Sequence, residues 1–159
     1  MGKQINLAPV PHRLSVGDQA GSSRLVGINL SDELSHTRQE TLLLLSLNVK
    51  NQVVARREIF RGTVDACIAH PRDVFYYAIL ANAARIIVAH NHPSGIASPS
   101  SSDEMFGQRL WLGGQLLGID LLDCFIVGRH SYFSFGEHDL FHGLTVDNAL
   151  QPVPHDPDV

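Results

Sequence analysis

A short continuous apolar run at residues 85–89 (RIIVA) constrains the fold of this chain more than any other segment. An uninterrupted run of this kind is typical of a β-strand that is buried on both faces. Such a strand needs partner strands beside it and further elements packed above and below it. The segments around the run therefore decide the fold class.

Two helices are predicted around this strand, one before it and one after it in the sequence. The first begins at Pro71, because proline suits a first helical turn, and it ends near Asn82. The second ends at Gly118. Their apolar stripes predict the inward-facing positions, which are Val74, Phe75, Ala78, Ile79 and Ala81 in the first helix and Met105, Phe106, Leu110, Leu112 and Leu116 in the second.

Two hairpins are predicted at the ends of this central region. Residues 41–49 and 52–60 are expected to pair as antiparallel strands, joined by a turn at Lys50 and Asn51. Residues 119–127 and 131–135 are expected to form strands on either side of a turn at 128–130. Strands and helices thus alternate between the hairpins, which predicts an α/β fold with a mixed sheet and helices packed against it.

The length of 159 residues suits one folded domain with short extensions. Residues 1–30 show no periodicity and are expected to form a flexible arm. Residues 31–143 are expected to form the domain, beginning with a short helix at 31–38. Residues 144–159 are expected to form a disordered tail, because they include a proline-rich segment without an apolar pattern.

Charge and composition exclude several classes of function. The net charge of −4 argues against tight binding to a nucleic-acid backbone, and we interpret the cluster of Arg56, Arg57 and Arg61 as a solvated face. No apolar run is long enough to span a membrane. The two distant cysteines, Cys67 and Cys124, favour a reducing compartment, so we expect a protein of the cytoplasm.

Residues 89–104 (AHNHPSGIASPSSSDE) carry the candidate chemistry. Strand alternation places the imidazoles of His90 and His92 on one face. The following Pro, Gly and Ser residues allow the chain to turn back and bring Asp103 opposite them. Two neutral imidazoles and one carboxylate leave a fourth tetrahedral position open, as in a catalytic zinc site.

A structural interpretation of the same residues stays open. His90 and His92 could be a hydrogen-bonded pair, and Ser100 and Asp103 could form a helix capping box. The complete pattern H-x-H-x7-S-x2-D should arise by chance only about three times in a thousand such sequences. Capping is also compatible with metal binding, because the helix holds a first-turn carboxylate rigidly.

The pattern, with a glutamate upstream of it, resembles the RadC-like branch of the JAMM (MPN-plus) metallohydrolases over residues 41–140. The stretches EIFRGT, HPRDVF, NAARIIVAHNHPSG and LLGIDLLD carry the same resemblance. It implies a three-layer α/β/α sandwich around a mixed sheet, similar to that of cytidine deaminases. It also implies one Zn²⁺ per chain and a bacterial protein.

The resemblance assigns roles to individual residues. His90, His92 and Asp103 match the zinc ligands, Glu58 the general acid/base, and Ser100 the hydroxyl that stabilises the oxyanion. Chemistry supports these roles, because a carboxylate near a metal-bound water can take up its proton and pass it to a leaving amine.

The residues alone leave other acids open in the role of Glu58, namely Asp65, Asp73 and Glu104. His70 is interpreted as a structural histidine at the start of a helix. The chain departs from the RadC pattern in lacking a visible helix-hairpin-helix segment. It also has Cys124 where relatives commonly have histidine.

Three functions remain compatible with the sequence. The first is hydrolysis of an amide bond in a protein or peptide, and the others are an accessory role in DNA repair and a non-catalytic interaction module. Two further classes are excluded: an HNH nuclease has its ligands on separate elements, and a nucleoside deaminase needs H-x-E and P-C-x-x-C motifs. A homodimer is also compatible with exposed sheet edges.

Overall fold

A five-stranded mixed sheet forms the centre of the computed structural model, which describes residues 13–62 and 69–149. The strands are β1 (Glu40–Leu47), β2 (Val53–Gly62), β3 (Arg85–Asn91), β4 (Asp120–Val127) and β5 (Tyr132–Ser134). Their spatial order is β2-β1-β3-β4-β5. Only β3 and β4 run parallel among these described strands, and the other neighbouring pairs are antiparallel.

Helices cover both faces of this sheet. They are α1 (Ser23–Leu34), α2 (Pro71–Leu80), α3 (Ser101–Leu117) and the short α4 (Val146–Ala149). Helix α1 packs on one face, and α2 and α3 pack on the other. The predicted α/β sandwich with a mixed sheet is therefore confirmed.

Strand β3 separates two hydrophobic cores. Ile86 and Val88 pack with α2 and α3, whereas Ile87 and Ala89 pack with α1. All residues from 86 to 91 are buried, as the apolar run predicts. Burial of an Ile or Val side chain contributes about 1.5–3 kcal/mol, so Ile86 and Val88 anchor the strand on one side and Ile87 anchors it on the other.

The leucine-rich strand β1 divides in the same way. Leu42 and Leu44 join the core under α2 and α3, and Leu43, Leu45 and Leu47 join the core under α1. The turn predicted at Lys50 and Asn51 is present, and the backbone of Asn51 is left-handed with φ 59°. Strands β1 and β3 are therefore apolar on both faces of the sheet rather than on one face.

Helix α1 lies earlier in the chain than the sequence predicts. It begins at Ser23 instead of Ser31, and the Ser22 side chain caps it by accepting from the Leu25 N–H. Val26, Leu30 and Leu34 form its buried stripe, so the expectation of a loose arm does not hold from residue 13 onward. Residues 1–12 lie outside the described residues.

Two predicted inner positions on the other helices are wrong. Ile79 and Leu116 are 56% and 70% exposed, respectively. Helix α3 instead presents Gly107 and Gly114 to the core, where an apolar stripe gives no signal. A methyl group at Gly114 would collide with the carbonyl oxygen of Ile119, so the absence of a side chain lets α3 lie close to the start of β4.

The structure describes only part of the predicted C-terminal tail. Helix α4 lies within the predicted tail and contacts α3. Residues 150–159 lie outside the described residues, as do Asp65 and Cys67. No helix among residues 13–62 and 69–149 is long and apolar enough to cross a membrane.

Replacing Gly114 with alanine tests this close packing. Helix propensity alone predicts that Gly114→Ala stabilises the protein by about 1 kcal/mol, whereas the collision predicts a loss of about 1–3 kcal/mol. We expect the loss, measured as the free energy of unfolding in urea. Gln115→Ala, at an exposed position of the same helix, should change that free energy by less than about 0.5 kcal/mol.

Candidate metal centre

The two histidines lie at the end of β3, where both cores hold the backbone. His90 pairs in register with Leu42 on β1 and Ile126 on β4, and it is only 4% exposed. His92 follows two residues later, and its N–H donates to the carbonyl of Val127 at 2.8 Å. Both imidazoles therefore project from a rigid segment on the face of α2 and α3.

The three predicted ligands converge. The Nε2 atoms of His90 and His92 are 3.1 Å apart. The carboxylate of Asp103 lies 3.0 Å from His90 Nε2 through Oδ1 and 3.3 Å from His92 Nε2 through Oδ2. One ligand atom from each residue falls within 4.8 Å of the others, which is compatible with a single bound metal ion.

Asp103 also caps α3, so the two interpretations of the sequence hold together. The Ser100 hydroxyl accepts from the Asp103 N–H at 3.2 Å, and the Asp103 carboxylate accepts from the Ser100 N–H at 2.7 Å. This is the predicted capping box. The Ser100 hydroxyl also donates to Asp103 Oδ2 at 2.7 Å, which fixes the carboxylate further.

The loop after β3 fixes the orientation of His92. Its Nδ1 lies 3.0 Å from the carbonyl oxygen of Ile96, and a hydrogen bond there places the proton on Nδ1. The His92 Nε2 then faces His90 and Asp103, and it carries no proton when the ring is neutral. Gly95 holds the turn with a left-handed backbone, φ 84°, and its carbonyl accepts from the Arg129 N–H.

The electrostatics of the cluster favour charge on the carboxylate. Burial of Asp103 acts to raise its pKa, but hydrogen bonds from His90 and His92 outweigh that effect and hold the pKa well below its usual range. The hydrogen bond to Asp103 raises the pKa of His92 against the opposing effect of burial. The cluster thus provides an ionised carboxylate beside two imidazoles, a donor set that suits zinc and leaves a coordination position open.

Glu58 lies away from these ligands, contrary to the role that the resemblance implies. It pairs in register with Leu43, whose side chain packs toward α1, whereas His90 pairs with Leu42 on the opposite face. A bulge at Ile59 causes this change of face. The exposed Glu58 carboxylate accepts two hydrogen bonds from Arg61, and these lower its pKa.

Glu40 lies on the same face of the sheet as the ligand cluster. It begins β1 two residues before Leu42, so its side chain lies on the same face as His90. It lines a cavity of about 210 Å³ together with His90 and Asp103. Its charge also contributes to the raised pKa of His92.

No local motif marks Glu40, so the sequence alone does not single it out. A signal is available in the position of Glu40 just before the leucine run. This position becomes informative only when β1 is known to pair with β3. Of the other acids considered, Asp73 lies near Arg72, and Glu104 lines a separate small cavity. His70, interpreted as structural, lies exposed at the mouth of the cavity that holds Glu40.

Asn91 ties the segment before β1 to the end of β3. Its side chain points to the opposite face from the two histidines and donates to the carbonyls of Thr37 and Gln39 at 3.1 and 3.0 Å. Its Oδ1 accepts from the Thr41 N–H at 2.8 Å. These contacts hold the backbone on both sides of Glu40.

Comparison with known proteins places this site in a family. A family model described as a RadC-like JAB domain matches residues 21–140, which include every ligand of the cluster. The chain belongs to the RadC-like JAB domain family.

Many bacterial relatives of this RadC-like domain carry the name UPF0758 protein. One from Streptococcus suis is 37% identical over 153 residues, which are 96% of this chain and 61% of the relative. One from Latilactobacillus sakei is 42% identical over 116 residues (73% and 52% of the two chains), and one from Clostridium botulinum is 45% identical over 106 residues (67% and 46%). The chain thus spans about half of the length of most of these relatives.

The side chain of Cys124 in this RadC-like domain belongs to the core. Cys124 is fully buried among the residues under α2 and α3, and burial raises the pKa of its thiol. The adjacent Asp123 accepts from the Ser134 hydroxyl at 2.6 Å and the Gly136 N–H at 2.9 Å, which anchors the turn after β5. Cys124 is therefore a core residue and is not one of the three candidate ligands.

Replacing Asn91 with aspartate tests how β3 holds the segment that carries Glu40. The change keeps the side-chain shape but removes both N–H donors, leaving two carbonyls beside a buried carboxylate. We expect the free energy of unfolding in urea to fall by about 2 kcal/mol or more. Gln108→Glu, the same chemical change at an exposed position, should have an effect below about 0.5 kcal/mol. Equal effects would show that Asn91 is not a structural tie.

Proposed function

We propose that this chain is a zinc-dependent hydrolase that cleaves an amide bond in a peptide or protein. The observation that carries the proposal is the convergence of His90 Nε2, His92 Nε2 and the Asp103 carboxylate within 4.8 Å at the wall of a cavity. Two nitrogens and one carboxylate form the protein part of many catalytic zinc sites. Zinc in such a site lowers the pKa of a bound water to about 7 and polarises a carbonyl group.

Glu40 is proposed as the group that moves the proton, in place of Glu58. Its side chain lies on the same face as the ligands and lines the same cavity. Among residues 13–62 and 69–149, no basic side chain forms an ion pair with it, so its carboxylate is available to accept a proton. Glu40 would take the proton of the attacking water and deliver it to the leaving amine nitrogen.

Ser100 is the proposed donor to the oxyanion, and for this its one hydroxyl proton would turn from Asp103 Oδ2 to the substrate oxygen. Its hydroxyl lies 2.7 Å from Asp103 Oδ2, next to the ligand cluster. The same hydroxyl caps α3, so removing it would also cost about 1 kcal/mol of stability. A variant that lacks the Ser100 hydroxyl must therefore be tested for zinc content and stability as well as for activity.

The structure offers little to support a DNA-repair role. The basic side chains considered in the sequence are engaged with other groups: Arg56 pairs with Glu33, Arg61 pairs with Glu58, and the Arg57 guanidinium stacks 4.4 Å over the ring of Tyr77. These contacts compete with contacts to phosphate groups. The hydrolase is thus the function that the site supports best.

Zinc binding provides the first test. We expect the purified protein to bind one equivalent of zinc and to unfold at a higher temperature with zinc than after chelation. His92→Ala should bind less than about a tenth of an equivalent under the same conditions. His36→Ala removes an exposed histidine outside the cluster and should retain the full equivalent, as measured by elemental analysis.

The pH dependence of zinc binding gives a second readout of the same site. The raised pKa of His92 means that its proton is held to a higher pH than in free histidine. Zinc must displace that proton, so zinc affinity should fall as the pH decreases, beginning above the ordinary histidine pKa of about 6.5. A pH-independent affinity between about pH 8 and pH 6 would contradict histidine ligation.

A comparison of Glu40→Gln with Glu58→Gln decides which acid moves the proton. Amide bonds cleaved by the zinc-loaded protein in a peptide library are identified by mass spectrometry, and kcat/KM is measured on the best substrate. Glu40→Gln should lower kcat/KM about 100-fold or more with zinc still bound, whereas Glu58→Gln should stay within about twofold. The reverse pattern would restore Glu58 to the role that the resemblance implies.

A further inference from the structure

The cavity beside the candidate ligands extends along α3 and ends at a cationic side chain. Asp103, Phe106 and Arg109 succeed one another at three-residue intervals, and all three line the cavity. Six residues of α-helix span about 9 Å, so Arg109 lies roughly two helical turns from Asp103. The cavity thus has a metal-ligand end and a guanidinium end.

The surface between these ends is mainly apolar. The apolar lining comes from Leu42 on β1, Ala69 before α2, and Met105 and Phe106 on α3. Such a surface accommodates an apolar side chain or an extended backbone rather than a strongly hydrated group.

Arg109 has no acidic partner among the described residues. The carboxylates that line the same cavity, Glu40 and Asp103, have other roles in the proposed reaction, and neither forms an ion pair with Arg109. A guanidinium binds a carboxylate through two parallel hydrogen bonds, which makes it a selective partner for that group. His70 lies on the same cavity and can provide a further donor.

We propose that Arg109 selects substrates that carry a carboxylate two or three residues from the amide bond that is cleaved. This inference rests on the proposed function, because the amide carbonyl is placed at the His90, His92 and Asp103 cluster. An extended peptide advances about 3.3 Å per residue, so two to three residues span the distance from the cluster to Arg109. Either a terminal carboxylate or an acidic side chain supplies the required chemistry.

Binding of matched hydroxamate probes to the zinc-loaded protein tests the proposal without a known substrate. Each probe carries a hydroxamate, which binds zinc, followed by leucine and alanine. One form ends in a free carboxylate and the other in a primary amide. A third form ends in an amide and has aspartate in place of alanine, which separates a side-chain carboxylate from a terminal one.

Isothermal titration calorimetry should show that a carboxylate probe binds about tenfold or more tightly than its neutral amide form. Arg109→Met should remove this preference while leaving the affinity of the neutral probe unchanged. Arg24→Met, which removes an exposed arginine on α1 across the sheet, should preserve it. The preference should also shrink at high salt, as expected for a partly exposed ion pair.

Equal affinities of all three probes for the wild-type protein would overturn the role of Arg109, and so would loss of the preference in Arg24→Met. Both outcomes leave the hydrolase proposal standing, because the neutral hydroxamate would still bind the metal. Failure of the protein to bind zinc would instead refute the hydrolase and is detected separately by elemental analysis. Thermal unfolding of Arg109→Met, expected to match that of the wild type, shows that the variant is folded.

Discussion

The burial of β3 on both faces is the constraint on which the rest of the structure depends. The strand lies at the centre of the sheet, with one core above it and another below it. His90 belongs to this strand and is 4% exposed, so its imidazole leaves water when the sheet forms. A buried imidazole is costly unless it has a polar partner, and the Asp103 carboxylate provides one at 3.0 Å. The candidate metal centre is thus an extension of the core.

Alternation along the end of β3 connects the two sides of the domain. His90 and His92 face α3, and Asn91 between them faces the segment that leads from α1 to β1. Asn91 holds the backbone on both sides of Glu40 from one face, and the histidines meet Asp103 on the other. Three consecutive residues therefore place the ligands and the proposed proton carrier within one rigid unit.

The sequence was informative wherever the structure depends on local patterns. The buried strand, the histidine pair and the Ser100–Asp103 capping box follow from short segments whose periodicity or spacing has a direct geometric meaning. The sequence pattern does not mark the start of helix α1, because its turns contain Gly27 and Asn29, which weaken the helical pattern. Gly27 lies against the ring of Tyr132, a contact more than one hundred residues away in the chain that no local pattern reveals.

Glu40 shows why a candidate site is harder to predict than a strand. Its distance from His90 depends on the antiparallel register of β1 against β3, and the side on which Glu58 lies depends on the bulge at Ile59. A shift of one residue moves a side chain to the other face of a sheet. A match to a sequence motif does not show which face of the sheet a side chain occupies. The pairing of Leu42 with His90 does show it, and it places Glu40 on the face of the histidines.

The hydrogen bonds of the cluster suggest how the site accepts a metal ion. The Asp103 carboxylate lies 3.0 Å from His90 Nε2 and 3.3 Å from His92 Nε2, and its hydrogen bond raises the pKa of His92. The capping box and the Ile96 carbonyl hold the side chains from behind, through atoms that need not face the metal. Binding of a metal ion by these three side chains would therefore require little movement of the backbone. These contacts already order the ligand side chains. Metal binding would therefore lose less free energy to ordering them, which favours a higher affinity.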